Sequence, residues 1–153
     1  MRLLFLGDVV GRAGRDAVTD RLAGLVQKHR FDFVVINGEN ASHGRGLTEG
    51  HFNDLRAAGA DVVTLGDHAF DQRDTLSYIA REPTLIRPIN MTEGTPGRGA
   101  NLIESRNGHR VLVINALGRV FMGPIDDPFR AVEAAIAACP LGEQADAIIV
   151  DFH

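Results

Sequence analysis

The sequence has one cysteine, Cys139, so it forms no internal disulfide, and with no C-x-x-C pair it offers no thiolate zinc site. That usage predicts a reducing, cytoplasmic setting. An excess of positive charge is also missing: 16 Lys and Arg against 20 Asp and Glu leave a net charge of −4 with histidine neutral. No global basic field is available to hold a nucleic-acid backbone, and any polynucleotide contact has to be local. Long apolar runs are absent as well. The opening Leu3-Leu4-Phe5-Leu6 is too short for a signal peptide, and nothing approaches the roughly 18 apolar residues of a membrane span. The expectation is a soluble, untargeted chain without a membrane partner.

What is present is the balance of an ordinary globular domain. The 153 residues are 44% hydrophobic and 24% charged, enough for one sizeable core and incompatible with disorder or a collagen-like repeat. Short apolar runs alternate with longer amphipathic stretches, the pattern of strand–helix units around a largely parallel, buried sheet. The runs are Leu3 to Leu6, Phe33 to Ile36, Val62 to Leu65, Leu85 to Ile89, Leu102-Ile103, Val111 to Ile114 and Ala147 to Val150. An α/β layered fold follows.

Helices are predicted from about Arg15 to His29, with Val18, Leu22, Leu25 and Val26 on one face, and from the N-cap Thr48 to Gly59. A third runs from Asp71 toward Ala80. A fourth opens with Asp127-Pro128, a cap followed by proline at the first helical position, and continues from Phe129 to Cys139. Asn107-Gly108 reads as a hairpin turn. No internal repeat or linker interrupts the chain, which reads as one domain over residues 1–153.

The polar residues of interest directly follow the apolar runs: Gly7-Asp8, Asn37-Gly38-Glu39-Asn40, Gly66-Asp67-His68 and Asp151-Phe152-His153. In a parallel sheet these positions share one edge, and ligands of open α/β sheets bind outside the carboxyl ends of the strands. Alone, Asp8 reads equally as a turn residue or cap, and His68 as a core histidine bonded to backbone. Jointly, Asp8, Glu39, Asn40, Asp67, His68 and His153 converge on one crevice. Carboxylates, a carboxamide and imidazoles form a hard-to-borderline ligand set suited to Mn, Fe or Zn. Crowded carboxylates raise one another's pKa, a cost that divalent cations remove. With two metals about 3.5–4 Å apart, Glu39 could bridge both while an activated hydroxide attacks phosphorus in line.

Other polar positions read more plainly. His29 sits at a helix C-terminus, His51 and His109 read as solvated, and His43 as part of an exposed Gly-rich loop. The stretch Gly7 to Gly14 has Gly11-x-x-Gly14 but not G-x-G-x-x-G, and Asp8 would face a pyrophosphate with like charge, so a dinucleotide-binding reading fits poorly. Arg12 or Arg15 remains free to meet a phosphate. In the long loop from Arg87 to Gly99, Asn90 and Arg98 are candidates to face substrate. For Gly118-Arg119-Val120-Phe121-Met122, burial is the leading reading, with a pocket wall or oligomer contact as the rival.

The strings Gly7-Asp8-Val9-Val10-Gly11, Asn37-Gly38-Glu39-Asn40-Ala41, Leu65-Gly66-Asp67-His68, Glu93-Gly94-Thr95-Pro96-Gly97 and Gly118-Arg119-Val120-Phe121-Met122, closed by Val150-Asp151-Phe152-His153, occur together in this order. In this combination the chain resembles the YmdB-like branch of the calcineurin-like metallophosphoesterases along its whole length. The resemblance implies a four-layer α/β/β/α sandwich, a dinuclear centre of two divalent transition metal ions (Fe, Mn or Zn), and hydrolysis of small phosphodiesters such as 2′,3′-cyclic nucleotides. Carried over by position, Asp8, Glu39, Asn40, Asp67 and His153 match metal ligands, with Glu39 as the bridge. His68 matches the histidine that protonates the leaving oxygen.

Two departures accompany the match. Asp67 stands where the family pattern has Asn, which adds negative charge and is expected to tighten the metal while weakening its pull on phosphate. The family's later Gly-Thr-His-Thr-His segment, whose histidines complete both metal shells, is not among these residues. The chain is therefore expected to be the N-terminal part of the sandwich, with a homo-oligomer as one way to cover its open face. The alternative function is a catalytically incomplete or inactive metal- or nucleotide-binding regulatory module.

Overall fold

A computed structural model describes residues 1–153. The elements are β1 (Leu3–Leu6), α1 (Gly11–His29), β2 (Phe33–Asn37), α2 (Glu49–Ala58), β3 (Val62–Thr64), α3 (Thr75–Tyr78), β4 (Leu85–Ile86), β5 (Ala100–Glu104), β6 (Arg110–Ala116), α4 (Pro128–Ala138) and β7 (Ala147–Phe152). They form two sheets. The first is parallel, in the order β1-β2-β3-β4; the second, β5-β6-β7, joins an antiparallel hairpin to a parallel pair. The two stacked sheets are those of the α/β/β/α sandwich that the family resemblance implied.

Strand alternation explains the layering, because successive side chains point to opposite faces. In β2 every residue is buried, with Val34 and Ile36 in a cluster with Val18 and Leu22 of α1 and Phe52 and Leu55 of α2. Phe33 and Val35 face the other way and join Val62, Ile86, Val111 and Val113 between the sheets. On the far side of the second sheet, Leu112 and Ile114 pack with Val132, Ala135 and Ile136 of α4. The order is helices, sheet, sheet, helix: the α/β/β/α sandwich.

Local chemistry sets the element ends. Asp127 accepts from the backbone N–H groups of Phe129 and Arg130 at 2.9 and 3.1 Å, capping α4, with Pro128 as its first residue. Thr48 caps α2 through the His51 N–H, and Gly59, at φ 121°, ends it. Helix α1 starts at Gly11, a turn earlier than its apolar face requires, and Leu25 lies exposed rather than in the core. The run Leu85 to Ile89 yields a two-residue strand, because Pro88 has no N–H to extend the ladder. The stretch from Asp71 to Ala80 gives one turn of helix, α3, preceded by turns. Conversely β7 continues past Val150 to Phe152. No helix is long and apolar enough to cross a membrane.

One edge of the sandwich is open. Phe5 on β1 and Val150 and Phe152 on β7, the outer strands of the two sheets, are exposed apolar residues. The segment Gly118 to Met122 is not buried as expected: Val120 and Phe121 project into solvent, Phe121 at φ 61°.

Candidate metal centre

The parallel register aligns the carboxyl ends of the first sheet, with Leu6 beside Ile36 and Asn37 beside Thr64. The loops leaving β1, β2 and β3 are cross-braced by the backbone. The N–H of Val9 donates to the carbonyl of Asn37 at 2.9 Å, that of Gly11 to Asn40 at 2.8 Å, and that of Gly38 to Thr64 at 2.9 Å. Asp8, Glu39, Asn40, Asp67 and His68 leave these three strand ends, and His153 comes from the end of β7 in the second sheet. The site therefore spans both sheets.

The polar side chains form one continuous string. Asn40 Nδ2 donates to Asp8 Oδ1 at 2.8 Å and to Glu39 Oε1 at 3.1 Å. His153 Nε2 lies 3.1 Å from Glu39 Oε1 and 3.2 Å from Asp67 Oδ1. Beyond Asp67, His68 Nε2 is 3.8 Å from Asp67 Oδ2, and His68 Nδ1 is 2.9 Å from Asp71 Oδ2. All six residues singled out in the sequence thus lie in one cluster, to which the structure adds Asp71.

Glu39 is the centre of that string and the most costly residue in it. Its side chain is 1% exposed, and Oε2 is buried without any hydrogen-bond partner. Burial pushes the carboxyl above its usual range; the imidazoles of His153 and His68 oppose the shift, and the carboxylates of Asp67 and Asp8 add to it. Nothing larger than glycine fits beside it. A Cβ on Gly66 would lie 1.8 Å from Glu39 Oε2 and 2.9 Å from the ring of His153. The carboxylate is also set from behind, since its own backbone N–H donates to Asn37 Oδ1 at 3.2 Å.

Asp8 has φ 37°, a left-handed conformation that disfavours a side chain. A non-glycine residue held there, at the mouth of the cluster, stores strain of the kind concentrated at functional sites.

The histidine from β7 is placed by a polar clamp between the sheets that sequence reading did not foresee. Asp151 points inward, where its Oδ2 accepts from Asn37 Nδ2 at 2.9 Å, from Thr64 Oγ1 at 2.5 Å and from Asn115 Nδ2 at 3.4 Å. Asn37, Thr64 and Asn115 are all buried. Two residues on, the strand's alternation brings His153 to the same face, where its backbone N–H donates to Ala116 O at 2.8 Å.

The donor set fits a divalent cation. One ligand atom from each of Glu39, Asp67 and His153 lies within 4.8 Å of the others. The orphaned oxygen of Glu39 and the glycine cradle around it suit oxygen and nitrogen ligation of a hard or borderline ion. Asn40 turns its Nδ2 toward the carboxylates, and a half-turn about its last torsion presents Oδ1 instead.

Several other expectations are corrected. Asn90 does not face substrate: it is buried, its Nδ2 donates to Leu117 O and Asp126 O at 2.8 and 3.0 Å, and its Oδ1 accepts from the Leu117 N–H. It braces two loops. Arg15 is likewise occupied, donating to Ala41 O, while Arg12 pairs with Asp16 at 3.5 Å. His51 is half-buried rather than solvated, with Nδ1 2.7 Å from Ser42 Oγ, and burial pushes its pKa down. Arg98 is exposed.

Known proteins bear on this arrangement. The chain is 44% identical over 153 residues to a 2′,3′-cyclic-nucleotide 2′-phosphodiesterase of Bacillus subtilis, covering all of this chain and 57% of that protein. A crystal structure of a hypothetical protein from Thermus thermophilus superposes with TM-score 0.89 at 39% identity, over 100% of this chain and 57% of that one. A structure described as a novel phosphatase of Mycoplasma pneumoniae superposes with TM-score 0.85 at 33% identity, over 97% of this chain and 53% of that one. The chain thus spans little more than half the length of the proteins it matches. A family model described as "YmdB-like protein" matches residues 4–153, and the chain belongs to that family.

Proposed function

We propose that the cluster is part of a metal-dependent phosphodiesterase centre, with a 2′,3′-cyclic nucleotide as substrate. The observation that carries this reading is Glu39, a buried carboxylate with one unpartnered oxygen among Asp8, Asn40, Asp67 and His153. Without a cation, only the imidazoles of His153 and His68 offset the carboxylate repulsion and the desolvation of Glu39. The name of the Bacillus subtilis relative supplies the substrate class. Cytoplasmic location belongs to the same proposal.

Asp8, Glu39, Asn40, Asp67 and His153 would hold divalent metal, Fe, Mn or Zn. Bound there, such ions supply Lewis-acid polarisation of a phosphoryl oxygen and water of lowered pKa. The protein's own contribution is orientation and a proton. Glu39 is fixed by its backbone bond to Asn37 and by the absence of a side chain at Gly66. His68 holds Nε2 toward the cluster and gives a proton to the departing ribose oxygen, while the hydroxyl from water stays on phosphorus. Asp67 adds a further carboxylate to the ligand set, where the resemblance implies an asparagine.

The test is incubation with a 2′,3′-cyclic nucleotide and Mn²⁺, with monophosphate formation followed by phosphorus NMR against a chelated control and Glu39→Gln. Metal-dependent ring opening that Glu39→Gln abolishes supports the proposal. Mn²⁺ binding by a folded protein with no turnover refutes catalysis for this chain. That result leaves the metal- or nucleotide-binding module as the reading of the cluster.

A further inference from the structure

We propose that Asp71 is a positioning residue for His68, locking the imidazole so that Nε2 faces the reacting phosphodiester; this rests on the reading of His68 as the proton donor. Asp71 Oδ2 lies 2.9 Å from His68 Nδ1, the length of a charge-assisted hydrogen bond, whereas the nearest carboxylate to Nε2 is Asp67 Oδ2 at 3.8 Å. Only one ring nitrogen is therefore bonded, and it is the one turned away from the cluster. A carboxylate accepting from Nδ1–H fixes the ring's rotation and makes Nε2 the nitrogen that exchanges a proton with substrate.

The backbone leaves Asp71 little freedom to do otherwise. Its N–H donates to His68 O at 3.2 Å and the Ala69 N–H donates to Gly66 O at 3.2 Å, folding residues 66–71 into consecutive turns. The neighbouring residue Gln72 fastens this turn to the loop after β2, donating from Nε2 to Arg45 O at 2.6 Å. Gly46 permits that contact: a Cβ there would meet Gln72 Cγ at 2.8 Å and His68 O at 3.2 Å. The turn is thus pinned on both sides, with the Asp71 carboxylate held under the imidazole. Without it, a ring 24% exposed can rotate and present either nitrogen.

The experiment compares two phosphodiesters. One is a 2′,3′-cyclic nucleotide, whose alkoxide needs a proton to leave; the other is bis-p-nitrophenyl phosphate, whose phenolate does not. Asp71→Ala is expected to slow the cyclic nucleotide by about 10²-fold and the nitrophenyl ester by less than about threefold. In a His68→Ala background, Asp71→Ala is expected to cost nothing further, because it acts through the absent ring. Equal losses on both substrates, or additive losses in the double variant, overturn the proposal.

Nitrogen-15 NMR of the His68 imidazole supplies a readout independent of turnover. A hydrogen-bonded Nδ1–H signature is expected in the parent protein and lost in Asp71→Ala; the same signature in both overturns the proposal. Asp71→Asn guards against a folding defect, since it keeps the shape and is expected to shift the same resonance. A parent protein inactive on both esters contradicts the phosphodiesterase reading, while the NMR comparison still decides the role of Asp71.

Discussion

Glu39→Gln should stabilise the metal-free protein and remove most of the stability that metal confers. The side chain is 1% exposed. Its Oε1 receives His153 Nε2 and Asn40 Nδ2, both at 3.1 Å, while Oε2 receives nothing. Glutamine can keep its oxygen at the first position and place its neutral amide at the second, so the change removes a buried charge while the hydrogen bonds to the first oxygen remain. Replacing a buried, desolvated charge by a neutral amide is worth about 1–3 kcal/mol. At about 2–4 °C per kcal/mol for a chain of this size, Tm in chelator should rise by roughly 2 to 12 °C.

Metal should act in the opposite sense. At a free Mn²⁺ concentration a hundred times Kd, the parent gains about 2.7 kcal/mol. A variant that binds about a hundredfold more weakly gains only about 0.4 kcal/mol at the same concentration. Differential scanning calorimetry of both proteins, with chelator and with Mn²⁺, reads all four values. A lower Tm for Glu39→Gln in chelator, or equal increments with Mn²⁺, would refute the reasoning.

Three further outcomes are expected. Gly66→Ala puts a methyl 1.8 Å from Glu39 Oε2, so Glu39 must move, and Mn²⁺ affinity by titration calorimetry should fall by about 10-fold to 100-fold; unchanged affinity would mean Glu39 is no ligand. Asp151→Ala leaves donors on Asn37, Thr64 and Asn115 without their carboxylate, which should cost about 3 kcal/mol or more in urea unfolding; a loss below about 1 kcal/mol would show that the intersheet clamp is not needed. Tyr78 is buried, its hydroxyl donates to Leu47 O at 2.7 Å, and burial pushes the phenol well above its ordinary 10.0. Folding therefore disfavours tyrosinate: this contribution to stability is intact below the unfolded phenol's pKa and is lost as pH rises through the folded one. As the only tyrosine, Tyr78 should give tyrosinate absorbance only with loss of the circular dichroism signal; ionisation of a still-folded chain would contradict its burial.

The parts of this fold written in short-range pattern were legible in the sequence. The strand β2 was clear because all its residues are buried, so its apolar run has no polar interruption. Asp127-Pro128 announced α4 through chemistry confined to the cap. The second sheet could not be read from alternation alone, because strands of one sheet or two give the same apolar runs; only which residues meet across the gap distinguishes them.

The site followed the same division. Asp8, Glu39, Asn40, Asp67, His68 and His153 were found because each follows a strand, and a strand end is a position that sequence encodes. Asp71 was missed because an aspartate three residues after a histidine also looks like the start of a helix. Asp151 and His153 share a face by strand parity, yet one clamps the sheets and the other joins the polar cluster, a difference set by how deep each lies. Asn90 misled for the converse reason: a polar residue in a long loop looks available, but its amide is spent on loop carbonyls.

The most direct test of the central claim is anomalous diffraction from crystals grown with Mn²⁺. Anomalous density is expected within bonding distance of Glu39, Asp67 and His153, with Glu39 Oε2 engaged, and none there in Glu39→Gln. Density only elsewhere, or an empty cluster at saturating Mn²⁺ with Oε2 still unpartnered, would contradict it.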